Sequence, residues 1–163
     1  MSELQLLRRT SLLSGLEETA VKFLADDARS VFVRRDDFFY REFDEGVGIF
    51  VLLEGRTAEL RTLQHKRHLL RYIEPKDTFG EMAILERAPR TSTIAAVADS
   101  VALEIPAARF RKLNQNDLRQ FTLVQANLCR ELQKRLADTQ QKMFADPEET
   151  VILKGEQVLR PPA

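Results

Sequence analysis

Between residues 31 and 105 turn residues break the chain into short β-branched and aromatic runs, and this rhythm restricts the fold more than any other feature of the sequence. The candidate strands are Val31–Val33, Phe38–Tyr40, Ile49–Leu53, Thr57–Leu63, His68–Ile73, Ser92–Val97 and Val101–Ile105. Turns fall at Glu54-Gly55, across Gln64 to Arg67, and at Glu74-Pro75-Lys76-Asp77, where Gly, Pro and Asp interrupt the strand pattern. Many short strands with brief turns predict a sandwich or a jelly-roll-like barrel.

Helical periodicity flanks this region on both sides. Ser2 with Gln5 forms a capping box before a short amphipathic segment, and Glu17 to Ala28 carries Ala20, Val21, Phe23 and Leu24 at helical spacing. Pro106 fits the first turn of a helix whose apolar face is Phe110 and Leu113. A second helix is expected from about Asp117 to Lys142, with Phe121, Val124, Leu128, Leu132 and Leu136 as its stripe. A helix of that length outreaches a small barrel, so its second half needs another apolar surface, most simply its own copy in a homodimer.

Composition bounds the functional classes. With 163 residues, 44% hydrophobic and 31% charged, the chain suits one domain with a helical appendage. The 25 basic and 25 acidic residues cancel, so no global field draws the protein to DNA or to an anionic membrane. No apolar run approaches a membrane span, and Glu3, Arg8 and Arg9 interrupt the apolar residues of the N-terminus, so a cytoplasmic protein is expected. Cys129 stands alone between Leu128 and Leu132, which predicts a buried packing thiol in a reducing compartment.

The segment from Phe79 to Thr93 carries the chemistry. Gly80 lets backbone approach a ligand closely, and Glu81 to Leu85 suits a single helical turn whose N–H groups would point at an anion. Beyond Pro89 the chain should extend again, and Arg90 can fork two hydrogen bonds onto phosphate oxygens. Ionised Glu81 only accepts hydrogen bonds, so it suits a sugar hydroxyl rather than a phosphate.

In order and spacing this segment resembles the phosphate-binding cassette of the cyclic-nucleotide-binding domain family, which includes catabolite activators and protein kinase A regulatory subunits. The family pattern is Phe-Gly-Glu, a variable residue, Ala or Gly, Leu or Ile, a spacer, then Arg and a small residue; Phe79-Gly80-Glu81-Met82-Ala83-Ile84 and Arg90-Thr91-Ser92 supply it. The resemblance extends over roughly residues 11 to 141. It implies an α+β fold: a β-roll (double-stranded β-helix) over residues 31–105 with the cassette at 79–93, preceded by an N-terminal helical segment, 1–30. Hinge and lid or dimerisation helices over 106–142 and a tail, 143–163, complete the expected organisation.

By the same resemblance, Gly80 and Ala83 lend N–H groups to a cyclic phosphate, Arg90 pairs with it, Glu81 binds the ribose 2′-hydroxyl, and Thr91 touches phosphate and base. Arg135, Leu136 and Thr139 fall near the base, with Arg135 placed to stack on a purine face and Thr139 to bond its edge. A Thr at position 91 is compatible with guanine as well as adenine, so the implied ligand is cAMP or cGMP, signalling through the C-terminal helix to a separate protein. The alternatives are a protein-binding scaffold that has lost its nucleotide, and a receptor for a cyclic dinucleotide. The family usually has Gly where this chain has Asp36 and Phe43; a left-handed Phe costs roughly 1–2 kcal/mol, so the turn at Phe43 is expected to be reshaped.

Other chemistries find little support. His65 and His68 flank Lys66-Arg67 without a further metal ligand, and read as a solvated basic turn. Glu81 and Glu86 as an acid–base pair would be held ionised by Arg90, and no nucleophile accompanies them, so no enzyme is expected. The tail after about Ala145 is too short for the helix-turn-helix that DNA-binding members carry, and Thr150 to Leu153 reads as a stray strand or docking peptide.

Overall fold

The structure, a computed structural model, describes residues 3–82, 88–143, 150–153 and 156–159. Two helices, α1 (Glu3–Leu7) and α2 (Glu18–Ala25), precede the strands β1 (Arg29–Val33), β2 (Phe38–Tyr40), β3 (Gly48–Glu54), β4 (Thr57–Leu63), β5 (Lys66–Ile73), β6 (Thr78–Phe79), β7 (Thr93–Ala96) and β8 (Ser100–Pro106). Helices α3 (Ala107–Asn116) and α4 (Leu118–Met143) follow, then strands β9 (Thr150–Leu153) and β10 (Glu156–Leu159). One sheet runs β1-β8-β3-β6 and the other β2-β7-β4-β5-β10-β9. The expected β-roll between helical flanks is therefore present.

β3 shows why the two layers hold together. Its side chains alternate between faces: Ile49 and Val51 join Leu7, Leu12, Leu24, Phe110, Val124 and Leu128 under the helices, while Phe50 and Leu52 pack with Ile73, Phe79 and Ile94 inside the roll. Phe79 stacks on Phe50 with ring centroids 5.0 Å apart, pinning the start of the candidate site to the core.

Several expectations are corrected. β5 begins at Lys66 rather than His68, because Gln64 (φ 51°) and His65 (φ 63°) alone make the reversal. Two left-handed residues form the tight hairpin turn that matches strand twist. The short strand β6 carried too few residues to be read from periodicity. Cys129 is exposed: the buried stripe runs through Phe121, Val124 and Leu128, and the next residue lies about 100° further round the helix. The turn at Phe43 keeps its left-handed backbone (φ 73°), like Asp36 (φ 69°). It is not reshaped because Phe43 N–H donates to Arg90 O (2.9 Å), Arg90 N–H to Asp44 O (2.8 Å), and Arg41 N–H to Asp44 Oδ2 (2.7 Å). Thr150–Leu153 is a strand paired with β10, which itself lies parallel to β5 at Val158↔Arg67 and Leu159↔His68. Ser2, of the expected capping box, lies outside the described residues.

Candidate functional site

β6 delivers the chain to the site and Gly80 turns it. At φ 76° an L side chain is strained, and a Cβ would meet Arg90 Nη1 at 2.6 Å and Gly48 O at 3.3 Å, so glycine is required for the close approach. Arg90 fills the space that this turn leaves. Its Nη1 donates to Gly80 O (2.9 Å) and its Nη2 to Gly48 O (2.8 Å), and its guanidinium lies 4.2 Å from the centre of the Tyr40 ring.

Arg90 is 7% exposed, forms no ion pair among the described residues, and leaves Nε without a partner. Burial pulls its pKa below the ordinary value, and the nearby Tyr40, Glu104, Glu81 and Asp44 only partly offset this. The same burial raises the Tyr40 hydroxyl well above its usual range, with the charge of Glu59 adding to the effect. A guanidinium remains protonated regardless, so the site holds a buried cation without an ion-pair contact among the described residues.

Glu81 is also buried, and its carboxylate pairs with Arg135 from α4. The Arg135 Nη2 donates to Thr78 O (3.2 Å) and reaches Glu131 Oε2 (3.4 Å). Burial opposes the charge of Arg135, but Glu81, Glu59 and Glu131 outweigh it and raise the pKa. Glu131 accepts hydrogen bonds from Ser11 and from Thr78 Oγ1 (3.0 Å), so one α4 carboxylate ties the N-terminal segment, β6 and the helix together.

The other expected residues are placed as follows. Phe79 is in the core, Met82 is 41% exposed, and Thr91 is exposed at the lip of the cleft. Ser92 is buried and donates to Glu59 Oε1 (2.7 Å). Thr139 donates to Arg135 O one turn back (2.8 Å), and Leu136 is 59% exposed. Ala83 and Glu86 lie outside the described residues. Arg135 thus meets the carboxylate expected to hold the sugar, where the sequence suggested stacking on a base. About 30 Å³ remains between Tyr40, Glu59, Gly80, Glu81, Arg90 and Thr91.

Sequence reasoning missed Tyr40, Gly48, Thr78, Glu131 and the Glu59–Arg71 ion pair (2.7 Å). The last had a signal: charged residues at inward positions of strands β4 and β5, opposite one another across the hairpin. The carbonyls of Gly48 and Thr78 accept from arginines, contacts that leave no trace in residue type, whereas the Thr78 hydroxyl also donates to Glu131. Among the described residues no group of His, Cys, Asp and Glu could hold a metal, and no helix is long and apolar enough to cross a membrane.

The β-roll thus brings a glycine turn, a buried arginine and a helix-covered carboxylate to one cleft. Residues 30–117 match the model of the cyclic nucleotide-binding domain, more than half of the chain, and the protein belongs to that family. The chain is 26% identical over 113 residues to the cAMP-dependent protein kinase regulatory subunit of Dictyostelium discoideum, covering 67% of this chain and 35% of that protein. It is 25% identical over 138 residues to the CRP-like cAMP-activated global transcriptional regulator of Mycobacterium tuberculosis, covering 82% of this chain and 62% of the regulator. The chain therefore spans less than two thirds of either relative. Among solved structures, a cyclic nucleotide-binding domain from Methylobacillus flagellatus KT superposes with a TM-score of 0.74 at 17% identity, over 86% of this chain and 79% of that one, a likeness of fold.

Proposed function

We propose that this domain is a sensor for a cyclic mononucleotide, cAMP or cGMP, and that α4 transmits occupancy to a separate protein. The observation that carries this reading is the buried Arg90 cation, with an unpartnered Nε and no carboxylate in ion-pair contact with it among the described residues. A phosphate supplies the missing charge and the acceptor oxygens. Gly80 and Ala83 would donate backbone N–H groups, and Phe79, Met82, Thr91 and Ser92 complete the cradle.

Glu81 would accept from the ribose hydroxyl. Ligand pockets run to roughly 300 Å³ or more, so the cleft has to widen, and the contact in the way is Arg135 on Glu81. Nucleotide binding then exchanges that ion pair for the sugar and frees Arg135, with Leu136 and Thr139, to cover the base. This exchange makes the position of α4 depend on the ligand, because the two helix states differ in their affinity for it. Residues 31–105 serve as the binding roll, 106–142 as hinge and lid, and α4 also pairs two copies. Both relatives carry cAMP in their names, which supports this reading.

The test is calorimetric titration of refolded, ligand-stripped protein with cAMP, cGMP and cyclic di-GMP. Saturable binding of a mononucleotide is expected, weakened about a hundredfold or more in Arg90→Ala, whose fold is checked by thermal unfolding. Dinucleotide binding alone, or no binding by folded protein, would leave the dinucleotide or the scaffold reading in its place.

A further inference from the structure

Glu104 is a buried carboxylate that neither the cassette nor the covering helix uses; it is 5% exposed. Its cross-strand partners are Arg29 on β1 and Phe50 on β3, and Phe50 in turn lies opposite Phe79 on β6. Partners across a sheet share a face, and Phe50 and Phe79 belong to the inner core, so Glu104 also points into the roll. A carboxylate in such an apolar row is costly unless a cation meets it. Arg29 does so from the edge strand: its Nε donates to Glu104 Oε2 at 2.7 Å, while the arginine side chain stays 72% exposed.

On its inner side Glu104 meets the backbone that holds the buried arginine. A Cβ on Gly48 would come within 2.7 Å of both Glu104 Cγ and Glu104 Oε1, so the carboxylate occupies the space of the missing side chain. The Gly48 carbonyl accepts from Arg90 Nη2 (2.8 Å), and the Arg90 guanidinium lies 5.7 Å from the centre of the Phe50 ring. Glu104 is therefore the anion behind Arg90, one glycine away from it. Of the carboxylates that favour the charge of Arg90, it contributes most, ahead of Glu81 and Asp44. The others near the cleft are engaged elsewhere: Glu81 with Arg135, Glu59 with Arg71 and Ser92, and Asp44, in an exposed turn, with the Arg41 N–H.

We propose that Glu104 sets how strongly Arg90 attracts the phosphate, and that Arg29 sets how much of the Glu104 charge is felt there, an inference that rests on Arg90 as the phosphate-binding group. In the empty site Glu104 offsets part of the buried cation; once a phosphate enters, the same charge repels it. Low local dielectric makes both effects larger than they are in water. The Glu104 charge therefore stabilises the empty fold and lowers ligand affinity, a pair of opposite signs that a merely structural carboxylate does not produce. Glu104 is not among the residues lining the cleft, so it acts through Arg90 as a positioning residue.

The test is calorimetry of the full, ligand-stripped chain with cAMP and cGMP, paired with urea unfolding of the empty protein. Glu104→Gln keeps the shape and removes the charge. It is expected to bind about tenfold tighter whichever nucleotide wild type binds, while its empty form unfolds at lower urea. Arg29→Gln should bind about threefold more weakly, a smaller effect because the side chain is mostly in solvent, and Arg29→Lys should stay near wild type. In a Glu104→Gln background, Arg29→Gln should lose most of its effect. Unchanged or weaker binding by folded Glu104→Gln, an empty form no less stable than wild type, or an Arg29 effect that persists without the Glu104 charge would each overturn the proposal. Should Glu104→Gln fail to fold, the Arg29 variants decide: weaker binding restored by Arg29→Lys supports the proposal, and equal binding by all three proteins overturns it. Binding of neither nucleotide by folded wild type would overturn the cyclic-nucleotide reading itself, a result distinct from binding that ignores both substitutions.

Discussion

Phe43 holds a left-handed backbone, φ 73°, while its ring stands 83% exposed. The backbone conformation costs about 1 kcal/mol or more relative to glycine, and the exposed ring recovers little of it by burial. The strain persists because Phe43 and Asp44 are bonded through their backbones to Arg90, so the loop cannot relax without moving the arginine. Phe43→Gly is expected to raise the unfolding free energy, by up to about 1 kcal/mol after the greater freedom of glycine in the unfolded chain is subtracted. Phe43→Ala, which keeps a Cβ, should show no such gain in the same denaturant titration. Asp36 and Phe43 were recognisable in the sequence as residues standing where glycine is easier. That the hydrogen bonds hold the turn in place anyway depends on chain segments far apart in sequence, and residue type does not reveal it.

Helix α4 joins sequence-legible and sequence-hidden features. Its apolar stripe and its limits followed from spacing: Leu118–Met143 against an expected Asp117–Lys142. Its buried polar contacts did not follow, because Asn127 Nδ2 donates to Leu12 O (3.1 Å) and Ser14 O (2.7 Å), partners that only the tertiary fold supplies. The candidate residues Glu81 and Arg90, singled out in the sequence, lie buried at one cleft, whereas the Arg135 contact on Glu81 requires knowing how α4 crosses β6. Glu131 gives this element a measurable signature. Burial raises its pKa above 4.5, aided by the charge of Glu81 and opposed by the Thr78 hydroxyl, Arg135 and Arg71. The folded state then binds the proton more tightly than the unfolded state. Its contribution to stability is present in full below 4.5 and is lost as pH rises through the raised folded value. Urea midpoints of wild type and Glu131→Gln should therefore differ in slope across this window, with wild type losing stability relative to the variant as pH increases. Parallel curves would mean that Glu131 titrates alike in both states.

At the scale of the whole molecule, the unbalanced feature is how unevenly α4 is covered. Over its 26 residues, about 39 Å, Phe121, Val124 and Leu128 are buried, Leu132 packs only partly against the core, and Leu136 is 59% exposed. A second copy placed along the same helix would cover Leu136 by two-fold symmetry. Arg135 is the neighbouring residue, so a dimer contact at Leu136 would bias the same stretch of helix that, on the proposed exchange, would leave Glu81 when nucleotide enters, and the two equilibria would be linked. Sedimentation equilibrium should then give about twice 18.7 kDa for wild type and a monomer for Leu136→Glu. The monomeric variant should bind nucleotide with an altered affinity, and wild-type affinity should depend on protein concentration across the dimer range, a dependence that the loss of a Leu136 contact with the base would not produce. A wild-type mass of 18.7 kDa would remove the dimer, whereas a dimer whose disruption leaves nucleotide affinity unchanged would keep the interface and remove the coupling.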